Sequence, residues 1–328
     1  MKRLLLILAL MALALRRRLT PAVSLSGRRV LITGGSRGLG LALAREFAAR
    51  GARLALLARN GEELETAAEE LRRRGAEVQV IVADVTRGQE LEDAVARTIR
   101  HFGGLDVLVN VVGVIQAGPS ADLDLEDYRE AMEVNFYAPL RAMQAARNAL
   151  RRSRGRILNV ASVGGKVGIP HLAGYSASKF ALVGLGQAWR AELAGEGITL
   201  TTACPGLMQT GSARNASIKG RQVAEYALFA TLDNLPGLSL RPQEAARRMV
   251  NALERGDAEP LISGPAHLLT LAQALAPQLT ADLLGLATRL LPGSGSARSR
   301  PGREVESALT RANSLKRRRE AEFNELKT

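Results

Sequence analysis

Among the 328 residues there is a single cysteine, Cys204, so an intrachain disulfide and a cysteine-based zinc site are both excluded. Aromatic side chains make up only 3% of the chain. None is interleaved with the basic runs, which removes the stacking platform of a single-strand nucleic-acid binder. A long apolar span is also missing. The N-terminal run Leu4 to Leu15 would make a helix of about 18 Å, against a hydrocarbon core of roughly 30 Å. Lys2 and Arg3 precede it and Arg16, Arg17 and Arg18 follow it. This is the pattern of a membrane-associating anchor at the cytoplasmic face. A signal peptide, with Ala12-Leu13-Ala14 as its cleavage region, and a packed core helix are the rival readings. The three arginines behind the run argue against export.

The chain is 46% apolar and carries a formal net charge of +13. That composition can bury a large core, and one α/β domain of about 250 residues with tails is the simplest division. Much of the excess charge lies outside it, in Arg16 to Arg18 and in Arg298, Arg300, Arg303, Arg311 and Lys316 to Arg319. The Lys316–Arg319 cluster suits an anionic lipid surface, and nucleic acid is not expected as a partner.

The most informative stretch runs from Arg28 to Arg45. Val30, Leu31 and Ile32 read as a buried strand, a turn with Gly34, Gly35, Gly38 and Gly40 follows, and an Ala/Leu helix begins. The spacing is Thr33-Gly34-x-x-x-Gly38-x-Gly40, with Ser36, Arg37 and Leu39 between. Glycine allows a sharp turn and close approach of a ligand to backbone. The helix behind it then offers free N–H groups and its positive dipole end to a phosphate. A dinucleotide site is therefore expected here.

Further strands are expected at 52–57, 77–83, 105–112, 156–160, 197–202 and 260–263, with helices between, so the sheet is expected to be parallel and doubly wound, about seven strands in all, with helices on both faces. Ligands then gather at the strands' carboxyl ends. At the end of the second strand a carboxylate would bond the 2′-hydroxyl of NAD(H); the sequence offers Ala58-Arg59 instead. Arg37 and Arg59 together are expected to grip a 2′-phosphate, favouring NADP(H) over NAD(H). Asp84, with Val85 after the third strand, is placed to receive the adenine amino group or to cap a helix. Asn110 and Gly113 close the fourth strand.

Residues 125–149 read as one long helix with Asn135 among apolar neighbours, where an amide must satisfy a buried carbonyl or hold a water. Ser162 follows the fifth strand. Tyr175 and Lys179, at i and i+4, share a helix face. An ammonium about 4 Å from the phenol would stabilise the phenolate by at most roughly 4 kcal/mol, or about three pKa units, and bring Tyr175 toward working pH. Ser162 would then polarise a carbonyl oxygen to which Tyr175 supplies the proton. His171 either edges that pocket or is a satisfied loop histidine.

At these residues the chain, over about 26–264, resembles the short-chain dehydrogenase/reductases. The motifs are the glycine turn, Asp84, Asn110, Asn135, Ser162, Tyr175-x-x-x-Lys179, and Pro205-Gly206 with Thr210. The resemblance implies a Rossmann-type domain and NAD(P)-dependent carbonyl or alcohol redox chemistry without metal. It further implies that Lys179 holds the nicotinamide ribose, that Asn135 supports a relay water, and that Pro205, Gly206 and Thr210 line the nicotinamide side. The sequence departs from the family at Asn110-Val111-Val112-Gly113, where Asn-Asn-Ala-Gly is usual.

Residues 207–240 form a long insertion in which Val223, Tyr226, Ala227, Ala230 and Thr231 fall at helical spacing with Leu228, Phe229 and Leu232 on neighbouring faces, an apolar helix that suits either a lid over a hydrophobic substrate or ordinary core. Two leucine-rich helices are expected across 265–292, parted by Pro277, to cover the pocket, to pack against a second subunit or to lie on a bilayer. Residues 293–328 read as a basic, flexible tail. The expectation is an NADPH-dependent reductase of a hydrophobic carbonyl substrate, homo-oligomeric as a dimer or tetramer. A soluble 3-oxoacyl-carrier-protein reductase is one alternative. A nucleotide-binding scaffold without chemistry is another.

Overall fold

The structure is a computed structural model that describes residues 22–307, 310 and 321–323. The candidate anchor at Leu4–Leu15 and the Lys316–Arg319 cluster lie outside the described residues. Six parallel strands form the main sheet: β1 Arg29–Thr33, β2 Arg53–Ala58, β3 Val78–Val82, β4 Val107–Asn110, β6 Arg156–Val160 and β7 Thr199–Ala203. Their order across the sheet is β3, β2, β1, β4, β6, β7. Residues alternate between the two faces along each strand. Val30 and Ile32 join one core with helix α1, Gly38–Ala49, and helix α9, Pro242–Arg255. Leu31 joins the other core with α3, Gly88–Phe102, and α5, Ala138–Ser153. Burial on both faces explains why these strands read as continuous apolar runs rather than alternating ones.

The expected strand at 260–263 is not a full one. Leu261 pairs with Cys204 as a single bridge, because Pro260 can accept from Cys204 N at 2.9 Å but has no N–H to continue the ladder. The expected long helix at 125–149 is likewise interrupted. It consists of α4, Leu125–Met132, a π turn, Glu133–Tyr137, and then α5. Pro139 has no N–H to give the Asn135 carbonyl, and its ring would crowd that carbonyl, so the ladder slips by one residue, Ala138 N donating to Glu133 O.

A second, three-stranded sheet joins β5, Gln116–Ala117, to β8, Ser217–Gly220, and β9, Ser296–Pro301. β9 lies in the stretch expected to be a flexible tail. It pairs antiparallel with β8 through backbone bonds while its side chains stay exposed, so no apolar pattern marks it. Phe323, also in that tail, is fully buried in the α1–α9 core beneath the Arg45 guanidinium, 5.2 Å from its ring centre. No helix among the described residues is long and apolar enough to cross a membrane.

Candidate active site

In the sheet order, the chain leaves β1 to one side toward β2 and to the other toward β4, and a crevice opens at such a reversal above the carboxyl ends. A cleft of about 1600 Å³ lies there. Its floor on the β1 side is the glycine turn. Gly34 has φ +82°, and a Cβ at Gly40 would fall 1.8 Å from the Gly34 carbonyl oxygen, so the turn and the first turn of α1 touch backbone to backbone. Arg37 stands at the N-cap of α1 and no side chain caps that end. The first N–H groups of α1 therefore face the cleft with the positive end of the helix dipole behind them. This cradle fits a dinucleotide pyrophosphate.

Of the residues expected at the cofactor, Gly34, Ser36, Arg37, Gly38, Leu39, Gly40, Arg59, Asp84, Val85, Gly113, Pro205, Gly206 and Thr210 all line the cleft. Thr33 and Asn110 stand behind its wall. Thr33 Oγ1 donates to Val109 O at 3.3 Å, and Asn110 Nδ2 donates to Asn159 Oδ1 at 2.9 Å, so both tie strands together. Val112 takes the space above the turn, its Cα 3.0 Å from where a Gly34 Cβ would be.

At the far end of β2 the two arginines are held by carboxylates. Arg37 Nη1 lies 3.1 Å from Glu63 Oε1, and Arg59 Nη1 lies 3.9 Å from Asp84 Oδ2. Asp84 caps no helix; its Oδ1 accepts from Thr86 N at 3.0 Å and Thr86 Oγ1 at 2.8 Å. Burial works to raise the Asp84 pKa, but those bonds, with Arg59 and Arg87 nearby, bring it below the usual value.

The other half of the cleft gathers the expected catalytic groups. Lys179, buried on α6, Ala173–Ala194, donates to Val160 O at 3.0 Å and stands 5.7 Å from the Tyr175 ring centre. Ser162 Oγ accepts from Gly164 N at 3.0 Å, capping a short 3-10 turn. Its hydrogen bond to Tyr175 also draws the phenol's pKa down. Asn135 sits in the π turn, completely buried, out of the cleft itself. Its Oδ1 accepts from Val114 N and its Nδ2 donates to Val114 O, each at 3.0 Å, and Nδ2 also donates to Ser178 Oγ at 2.9 Å. Ser178 Oγ in turn donates to Tyr175 O at 2.8 Å. The amide thus satisfies the backbone that follows β4 and joins it to the helix carrying Tyr175 and Lys179.

The expected lowering of the phenol does not occur in the chain's own field. The Tyr175 ring is partly exposed along the cleft, but its hydroxyl lies deep, and burial pushes its pKa up to about 12. The same burial lowers Lys179 to about 8. The lysine ammonium is directed at a backbone carbonyl rather than at the phenolic oxygen. Tyr175 is therefore a protonated acid at neutral pH. Cys204 is no nucleophile, since burial pushes its thiol up to about 12.

Opposite the glycine turn, helix α8, Gln222–Asn234, combines both readings of its sequence. Tyr226 and Ala230 are core, whereas Leu228, Phe229 and Leu232 line the cleft. The two leucine-rich helices are α10, Gly264–Leu275, and α11, Pro277–Ala287. Leu269 and Leu284 face the cleft, while Leu268, Leu275 and Leu283 are exposed on the other side. His171, at φ +63°, also lines the cleft, and its Nδ1 lies 2.8 Å from Glu225 Oε1. Sequence reasoning missed three polar residues of this wall, Ser212, Glu225 and Asp233. Glu225, Phe229 and Asp233 recur at i, i+4 and i+8, a spacing that shares one helix face and would have exposed the two acids.

The sequence pattern of the family described as short chain dehydrogenase matches residues 28–220. A Streptomyces coelicolor protein with a provisional ketoacyl reductase name is 35% identical over 236 residues, 70% of this chain and 90% of its own length. An Arabidopsis thaliana protein, 11-beta-hydroxysteroid dehydrogenase-like 4A, is 33% identical over 233 residues, 70% of this chain and 75% of its own. Among solved structures, a short chain dehydrogenase from Burkholderia cenocepacia in complex with NADP superposes with a TM-score of 0.67 at 27% identity. That match covers 80% of this chain and 99% of the other.

Proposed function

The chain belongs to the short-chain dehydrogenase family, enzymes acting on CH–OH and C=O groups, and from that premise we propose that it reduces the carbonyl of a hydrophobic substrate to an alcohol with NADPH. The observation that carries this reading is the convergence of Ser162, Tyr175 and Lys179 on the cleft that the glycine turn opens. The cradle at Gly34 to Gly40 would hold the pyrophosphate, Lys179 the nicotinamide ribose, and Pro205, Gly206 and Thr210 the nicotinamide side. When bound, the reduced nicotinamide supplies the two electrons and hydrogen that reach the carbonyl carbon. Ser162 Oγ donates a hydrogen bond to the carbonyl oxygen and polarises it. Tyr175 gives that oxygen its proton, and a phenol with a pKa of about 12 is fully protonated for the purpose at pH 7.

Arg37 and Arg59 at the adenosine end support a 2′-phosphate and hence NADP(H), with Glu63 as the competitor that Arg37 must leave. Leucines on both the cleft-facing and the exposed sides of α10 and α11 support a hydrophobic substrate. Together with the apolar run 4–15, they also support attachment at the cytoplasmic face of a membrane, in an enzyme that works as a dimer or tetramer. A panel of long-chain and polycyclic ketones, and a carrier-linked 3-oxoacyl substrate, followed with NADPH and NADH at the nicotinamide absorbance band, tests the reading. Turnover of free hydrophobic ketones with NADPH is expected. Turnover confined to the carrier-linked substrate would assign the chain to 3-oxoacyl-carrier-protein reduction instead.

A further inference from the structure

The substrate side of the cleft is apolar, walled by Leu228, Phe229 and Leu232 of α8 and Leu284 of α11. Within that wall Asp233 is 2% exposed, and one carboxyl oxygen, Oδ2, accepts from Ser212 Oγ at 2.9 Å. No described residue donates to the other oxygen, Oδ1. The second acid of the same helix face differs, because Glu225 is already paired with His171 at 2.8 Å. A carboxyl group almost wholly withdrawn from water and holding a single side-chain hydrogen bond gains from a further donor that reaches it through the cleft. Asp233 also lies within electrostatic reach of Tyr175, whose pKa its charge raises. Asp233, Ser212 and Tyr175 all line the same cleft.

We propose that Asp233, oriented by Ser212, is a specificity site that binds a hydroxyl group carried by the substrate next to its reacting carbonyl. The proposal rests on the reductase reading above and narrows its substrate class to hydroxyketones. A hydroxyl both donates and accepts, so it meets this carboxyl in either protonation state. That matters because burial pushes Asp233 up to about 7. A carboxylate or phosphate in the same place would meet the charged form as a like charge, so substrates with an anion beside the carbonyl are disfavoured.

The test compares decan-2-one with 1-hydroxydecan-2-one, using the full chain and NADPH, in the wild type, Asp233→Asn and Asp233→Leu. The quantity read is the ratio of kcat/KM for the two ketones within each protein, from which any difference in the amount of folded enzyme cancels. In the wild type the hydroxyketone is favoured by roughly tenfold to a hundredfold, the range of a hydrogen bond to a charged group. Asp233→Leu brings the ratio to about one, and Asp233→Asn, which keeps the shape and a hydrogen-bonding oxygen, leaves a part of the preference. A merely structural Asp233 would change both ketones together and leave the ratio in place. A wild-type ratio near one, or a preference that survives Asp233→Leu, overturns the proposal while leaving the reductase reading standing. Reduction of neither ketone by the wild type defeats that reading, and this proposal with it.

Discussion

Replacing Gly40 by alanine strikes the point where the cofactor cradle depends most on one missing atom. The new Cβ would sit 1.8 Å from the Gly34 carbonyl oxygen, where real Cβ atoms essentially never come nearer than 3.0 Å. The turn and the start of α1 must therefore part by at least about 1.2 Å. The obstacle is backbone on both sides, so no side chain can swing away. Overpacking of this kind costs about 1–3 kcal/mol, or roughly 2–12 °C in melting temperature for a domain of this size. The same displacement pulls the first N–H groups of α1 off the pyrophosphate, with a loss of NADPH affinity of about tenfold or more, equivalent to about 1.4 kcal/mol. Gly38 provides the contrast. It has φ +56° and nothing within 4 Å of its Cβ position, so Gly38→Ala carries only backbone strain of about 1–2 kcal/mol and loses less affinity. Thermal melts and NADPH titration by nicotinamide fluorescence measure both effects. A Gly40→Ala protein that melts and binds NADPH like the wild type would refute the backbone-contact argument.

Asn135→Leu removes three hydrogen bonds at a fully buried site and leaves the Val114 N–H and C=O without that partner. A loss of about 1–3 kcal/mol per unsatisfied group should appear as a lower denaturant midpoint. Arg37→Ala is expected to raise KM for NADPH by about tenfold or more, in keeping with a charge-assisted bond, while KM for NADH moves little; equal changes for both would remove Arg37 from 2′-phosphate recognition. For pH, Lys179 is charged below about 8 and neutral above it. With that ammonium holding the nicotinamide ribose, kcat/KM for reduction is flat below that pH and falls up to tenfold per unit above it. A profile level through pH 10 would contradict this.

The β1–turn–α1 unit, the Tyr175–Lys179 pair and the parallel order were legible because each is local. A buried strand is an apolar run, a backbone contact demands glycine, and i to i+4 residues meet on one helix face. What was hidden depended on groups distant in sequence. Ser296–Pro301 becomes a strand only because Ser217–Gly220 offers an open edge, and its exposed side chains carry no trace of this. The failure of a full strand at 260–263 and the π turn at 133–137 follow from Pro260 and Pro139, whose missing N–H groups break a ladder that an apolar run alone would continue. The Tyr175 pKa moves up rather than down because i to i+4 spacing fixes how near two side chains lie but not how deeply either is buried. Asn110, expected at the cofactor, instead bonds a neighbouring strand through Asn159, a partner that sequence separation conceals.

The central claim is that Tyr175 protonates a carbonyl oxygen as the nicotinamide reduces the adjoining carbon. The most direct measurement is mass spectrometry of the alcohol formed from a hydrophobic ketone and NADPH deuterated at the transferred position, with wild type and Tyr175→Phe side by side. One deuterium on the carbinol carbon is predicted, with the rate reduced roughly 10²- to 10⁴-fold in the variant and NADPH binding retained. Unlabelled alcohol, or an equal rate in Tyr175→Phe, would contradict it.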